Sequence, residues 1–149
     1  MVGLEPLTIL LVEDDPADQK LIKTSLQNQR IINDLYIVNS GEEALDFLHC
    51  CGDYSGGMPQ PALILLDLNM PGMGGKEFLK QIKDDEELKH IPVVILTTSD
   101  SERDVIDSYR LQASGYVNKP FTLDEFKQVM DKIKEYWFVL CKLPAKEHR

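Results

Sequence analysis

Short apolar runs rich in β-branched and aliphatic residues alternate five times along this chain with stretches of helical period. The runs are Thr8–Val12, Leu35–Val38, Ala62–Leu66, Pro92–Leu96 and Gly115–Val117, and the helical stretches fall around residues 16–28, 41–51, 75–85, 101–112 and 122–138. Three of the runs are continuously apolar, as strands are when helices cover both faces of their sheet. A strand cannot return parallel to its neighbour without a long crossover, and right-handed crossovers then give a doubly wound α/β fold. At 149 residues, 43% of them hydrophobic, the chain has material for one core of ordinary size. We therefore expect one domain over residues 1–149, with its core at about 7–138 and a C-terminal helical extension and tail at 139–149.

Local signals sharpen the element ends. Asp15 suits the N-cap of the first helix, with Pro16 at N1 and Asp18 at N3. Ser40 can cap the second helix, and Thr122 with Glu125 makes a capping box for the last. The stretch Gly52–Pro61 is turn-forming throughout and lacks periodic apolar content.

Charge excludes several functions. Sixteen Lys and Arg against twenty-five Asp and Glu give a net charge of −9, which repels phosphate backbones and leaves no basic stripe for nucleic acid. No apolar run approaches a membrane span, and Met1–Thr8 has neither a basic n-region nor an apolar h-region, so the expected location is the cytoplasm. Adjacent Cys50 and Cys51, with Cys141 in an apolar context, read as buried or half-buried thiols. His49, Cys50 and Cys51 do not make a zinc site, because no second cluster supplies the remaining ligands.

Open α/β sheets bind ligands at the carboxyl ends of their strands. Glu13 and Asp14 follow the first run, Asp67 and Asn69 the third, Thr97 the fourth, and Asn118 with Lys119 the fifth. The second run ends in Asn39 and Ser40, as it would at a sheet edge. Because Asp15 already fills the capping role, Glu13 and Asp14 are surplus acids at a strand end, and surplus buried charge calls for a partner. Three carboxylates at one spot call for a hard divalent cation. Mg2+ fits best, since it takes few carboxylates and keeps waters that a phosphoryl oxygen can replace. With no cysteine or histidine at these strand ends, and no base beside the threonines, the nucleophile in this pocket is a carboxylate, best Asp67. Nucleotide loops fit poorly: a Walker A motif ending at Gly75-Lys76 would need glycine at Met70 and a hydroxyl at Glu77.

The blocks Ile9–Pro16, Leu65–Pro71, Pro92–Thr97 and Ser114–Phe121 resemble the four signature blocks of two-component response-regulator receiver domains. The resemblance implies a flavodoxin-like five-stranded parallel sheet of order 2-1-3-4-5. It implies that Asp67 accepts phosphate from a histidine kinase, and that Asp14, Asp67 and the Asn69 carbonyl ligate Mg2+, with Glu13 acting through a metal-bound water. Thr97 and Lys119 would contact the phosphoryl group, Tyr116 would be an aromatic switch coupled to Thr97, and the Lys119–Pro120 peptide would be cis. Gly74 departs from the polar residue usual at its position, and Gly72-Met73-Gly74-Gly75 makes the loop after Asp67 unusually free.

The long loop before Ala62 and the tail Tyr136–Pro144 resemble stand-alone receivers that serve phytochrome-type sensor kinases and form homodimers. On the last helix, Phe126, Val129, Met130, Ile133, Trp137 and Leu140 share a core-facing stripe, while Phe138 and Val139 fall opposite and call for a partner. Output is then expected through contact with a downstream protein. Two other readings stay open at this point: a binding module of the same fold that no longer uses phosphate, and a metal-dependent phosphatase acting on outside substrates.

Overall fold

The computed structural model describes residues 7–27, 33–70, 72–97, 106–107, 110–118, 122, 124–128 and 131, with backbone alone at Leu7, Asn33, Thr97 and 116–118. The strands are β1 (Leu7–Val12), β2 (Asn33–Val38), β3 (Leu63–Leu66), β4 (Val93–Thr97) and β5 (Gly115–Asn118). They form one sheet of order β2-β1-β3-β4-β5, and every pairing is parallel. The helices are α1 (Pro16–Gln27), α2 (Gly41–His49) and α3 (Gly75–Asp84). Residues 106, 107, 110, 124–128 and 131 are also helical.

Alternate strand residues feed two cores, as the pleat requires. Leu10, Val12, Ile64, Leu66, Val93 and Ile95 pack with Phe47 of α2 and with Phe78, Leu79 and Ile82 of α3. Ile9, Leu11, Leu63, Leu65, Val94 and Leu96 point the other way, onto Ile22 and Leu26 of α1 and onto Phe126. Helices on both faces explain why β3 is buried at every position. Truncating a fully buried leucine such as Leu65 to alanine costs about 2–5 kcal/mol in a core of this kind.

The caps behave as their residue types dictate. The Ala17 N–H donates to Asp15 Oδ1 at 2.9 Å and the Glu43 N–H to Ser40 Oγ at 3.0 Å. Thr122 and Glu125 form a reciprocal capping box, at 2.8 and 3.1 Å.

Two expectations need correction. The residue pattern carries the second helix to residue 51, but it ends at His49, because Cys50 turns left-handed (φ 55°) and its N–H returns to the Asp46 and Phe47 carbonyls. The Cys51 N–H also bonds the Asp46 carbonyl, at 2.8 Å, so the last turn is closed by the capping residues themselves. Cys50 is half-buried as expected, whereas this turn leaves Cys51 exposed. The chain then makes a 3-10 turn at Gly52–Tyr54 that brings Tyr54 back onto Phe47, ring centroids 5.2 Å apart and nearly edge-on. Tyr54 and Met58 both pack against the core, so this segment is anchored despite its turn-forming composition.

The stripe from Val129 to Leu140 (Phe126 and Asp131 aside), the residues Phe138 and Val139, Cys141 and most of 101–112 lie outside the described residues. Among the described residues, no helix is long and apolar enough to cross a membrane.

Candidate phosphoacceptor and metal site

The site follows from strand register. Val12 of β1 pairs with Val38 of β2 and with Leu66 of β3, so the three strands release their chains at one edge of the sheet. The ladder runs one step further, with the Asp67 N–H donating to the Val12 carbonyl and the Glu13 N–H to the Val38 carbonyl, both at 3.0 Å. Glu13 and Asp67 are thereby held beside each other while their side chains leave the sheet.

Glu13, Asp14 and Asp67 each offer a carboxylate oxygen, and the three atoms lie within 4.8 Å of one another. Glu13 is fully buried, Asp67 is 5% exposed and Asp14 is partly exposed. Backbone amides shape the acids: the Asp15 N–H donates to Glu13 Oε2 at 3.2 Å and the Asn69 N–H to Asp67 Oδ1 at 3.1 Å. An all-oxygen set this compact, with two members taken out of water, suits a hard divalent cation, which offsets the mutual repulsion that burial strengthens. Among the described residues it is the one group of three or more His, Cys, Asp or Glu with this spacing, and His49, Cys50 and Cys51 do not form another.

The other expected residues lie at the same edge or beyond the described chain. Asn69 is exposed, one residue past Leu68, and its N–H belongs to the Asp67 turn. Thr97 is the last residue of β4 and pairs with Asn118 of β5, which places its backbone at the carboxyl end of the sheet. Tyr116 pairs with Ile95 two residues further inside, while its side chain, like that of Thr97, lies outside the described residues. Lys119 and its peptide bond to Pro120 also lie outside them.

Acids gathered at the carboxyl edge of a 2-1-3-4-5 sheet match a known family along most of the chain: the response regulator receiver domain model covers residues 9–131. The chain belongs to this receiver family. Response regulator Rcp1 of Synechocystis sp. is 43% identical over 140 residues, covering 94% of this chain and 95% of Rcp1. The crystal structure of Mn(2+)-bound Rcp1 superposes with a TM-score of 0.79, covering 89% of this chain and 94% of that one. The phosphorylated cyanobacterial phytochrome response regulator RcpA is 40% identical, with a TM-score of 0.81 over 90% of this chain and 95% of its own. As a receiver, this protein is a response regulator that is phosphorylated on an aspartate by a sensor kinase, and receivers bind a divalent metal in this acidic pocket.

Two features of the receiver site are not readable from motif spacing. Gly75, the first residue of α3, lies hard against the backbone of Asp67 and Leu68. Gln19, one turn into α1, donates its side-chain N–H to the Glu13 carbonyl at 2.6 Å. A glycine at a helix start offers a hint of close approach; a glutamine on a polar helix face offers none.

Proposed function

We infer that Asp67 is the phosphoacceptor, that Asp14, Asp67 and the Asn69 carbonyl hold Mg2+ with Glu13 assisting through water, and that Thr97 and Lys119 engage the phosphoryl oxygens. The observation that carries this is the convergence of Glu13, Asp14 and Asp67 within 4.8 Å. Mg2+, when bound, supplies charge neutralisation at the phosphoryl oxygens and orients them for in-line attack. An Asp67 carboxylate oxygen attacks the phosphorus of a kinase phosphohistidine; the new O–P bond forms as the N–P bond breaks, and the imidazole nitrogen leaves with the bonding pair. The Asn69 N–H holds one Asp67 oxygen and so restrains the orientation of the attacking carboxylate.

Tyr116 then reports the state of Thr97, and the readout is contact with a downstream protein rather than turnover of an outside substrate. The resemblance to the phytochrome response regulator RcpA supports a phytochrome-type histidine kinase as donor, and the apolar Phe138 and Val139, opposite the core-facing stripe, support a homodimer formed through the C-terminal helix. The acidic charge of −9 supports a protein partner over a nucleic acid. The protein is read as one cytoplasmic receiver domain over 1–149.

Incubation with acetyl phosphate and Mg2+ followed by intact mass tests the reading. One phosphate adduct, lost in Asp67→Asn and in chelator, is the expected result. An unchanged mass with every donor would leave a binding module of the same fold, and multiple turnovers of an added phosphoester would favour the phosphatase.

A further inference from the structure

The acidic site is tied to the rest of the molecule by a run of hydrogen bonds that begins at Gln19. Its Nε2 donates to the Glu13 carbonyl at 2.6 Å and to Asn39 Oδ1 at 2.9 Å. A primary amide nitrogen carries two hydrogens, so these two acceptors use its full donor capacity and fix which way the amide points. The two acceptors belong to the chain just beyond β1 and just beyond β2, where the paired ladder gives out. Gln19 therefore bridges the two strand exits from α1. Asn39 is itself held: its N–H donates to Glu43 Oε1 at 2.9 Å, and the other Glu43 oxygen accepts the Tyr54 hydroxyl at 2.6 Å.

On Glu13 the consequence is a backbone held at both its N–H and its carbonyl. Its N–H is spent on the Val38 carbonyl, its carbonyl on Gln19, and one carboxylate oxygen accepts the Asp15 N–H. The peptide that Gln19 grips is the one joining Glu13 to Asp14, so its orientation sets how both side chains leave the strand.

We propose that Gln19 is a positioning residue for the divalent cation: by gripping the Glu13–Asp14 peptide against Asn39 it presets the two β1 carboxylates to meet Asp67. This rests on the reading of the acidic cluster as the metal site. Gln19 touches neither phosphate nor the reacting carboxylate. Its removal raises the cost of assembling the metal ligands and leaves the phosphotransfer step itself intact.

The test is Mn2+ affinity by electron paramagnetic resonance of the free ion, on the whole chain. Gln19→Met keeps length and helix propensity and removes both donors. It is expected to weaken Mn2+ binding about tenfold, the low end for groups that orient metal ligands, because it acts through the main chain. The half-saturating Mg2+ for phosphorylation by acetyl phosphate should rise by the same factor, with the rate at saturating Mg2+ within about twofold of the parent. Asn39→Ala should weaken Mn2+ binding less, and should add little in the Gln19→Met background, since both act through one bond. Unchanged Mn2+ affinity in a folded Gln19→Met protein, full additivity with Asn39→Ala, or a fall confined to the saturated rate would each overturn the proposal. Asp67→Asn separates the two failures: if it leaves Mn2+ binding untouched, the reading of the metal site is wrong, whereas its loss of binding beside a normal Gln19→Met discards the positioning role alone.

Discussion

Gly75 is packed against the residue it helps to place. A Cβ at this position would come within 2.5 Å of the Asp67 carbonyl oxygen and 2.6 Å of Leu68 Cα, with the Gly75 N–H bonded to the Leu68 carbonyl at 3.2 Å. The obstructing atoms are backbone and have no rotamer by which to yield. Gly75→Ala is therefore expected to cost about 1–3 kcal/mol in urea unfolding. It should also slow phosphorylation, because the backbone that must retreat carries Asp67. Gly74 gives the contrast: φ is +79° and nothing lies within 4 Å of a Cβ there. At φ 79° and ψ 156° the backbone lies in a region essentially confined to glycine, so Gly74→Ala should cost about 1–3 kcal/mol and leave the phosphorylation rate nearly unchanged. Equal losses of rate in the two variants would show that the Asp67 contact is unimportant. The glycine-rich loop, expected to be unusually free, thus consists of two residues with positive φ, Gly72 and Gly74, and one at a close approach.

The three carboxylates repel one another, and a bound cation offsets that repulsion. Two unit charges at 4.8 Å repel by about 1 kcal/mol even when screened as in water. Asp14→Asn, which removes one charge and keeps the shape, should therefore melt higher than the parent in chelator. Saturating Mg2+ should reverse the order, since a ligand at 100 times its Kd stabilises the parent by about 2.7 kcal/mol and the variant has lost a ligand. Calorimetric scans of both proteins with and without Mg2+ decide it. Parallel melting temperatures with no crossing would rule out a metal site at this cluster.

Much of this arrangement was legible in the residues. The five apolar runs all become strands, and the second, which is followed by Asn39 and Ser40, lies at a sheet edge as expected. Glu13, Asp14 and Asp67 meet because parallel register carries strand ends to one side, which chain order and handedness already imply. What could not be read is side-chain chemistry across long separations. Nothing local marks Gln19 as a partner of Glu13, since its distinction is the direction of one amide. Tyr54 sits among turn formers, and its burial depends on the left-handed cap at Cys50, a conformation that cysteine gives little reason to expect.

Tyr54 should make the alkaline limb of stability depend on one bond. Its hydroxyl donates to Glu43 Oε2 at 2.6 Å. That bond, with burial and the nearby acids, pushes its pKa from 10.0 up to about 12. A raised folded value means the stabilisation is full below pH 10 and fades as pH climbs towards 12. Thermal melts at pH 9 and pH 11 should therefore show the parent losing more than Tyr54→Phe, which has no proton to lose there. Identical losses would place the Tyr54 proton outside the folding equilibrium.

The acid limb should depend on a second tie, between α2 and the turn after α3. His49 Nε2 donates to Asp85 Oδ2 at 3.0 Å, and the Glu87 N–H donates to Asp85 Oδ1 at 2.8 Å. The His49 bond first, and the backbone bond from Glu87 after it, hold the Asp85 carboxyl below its ordinary 3.8 against an opposing push from desolvation. A lowered carboxyl value works in the opposite sense to Tyr54: the stabilisation is complete above pH 3.8 and drains away as pH falls through the folded value. Asp85→Asn should melt below the parent at pH 6, and the gap should narrow at pH 3, below the ordinary 3.8, where the unfolded chain's carboxyl takes up a proton. His49→Gln should remove part of the pH 6 advantage without touching the Glu87 bond. A gap between parent and Asp85→Asn that stays constant from pH 6 to pH 3 would show that this carboxylate does not couple protonation to folding.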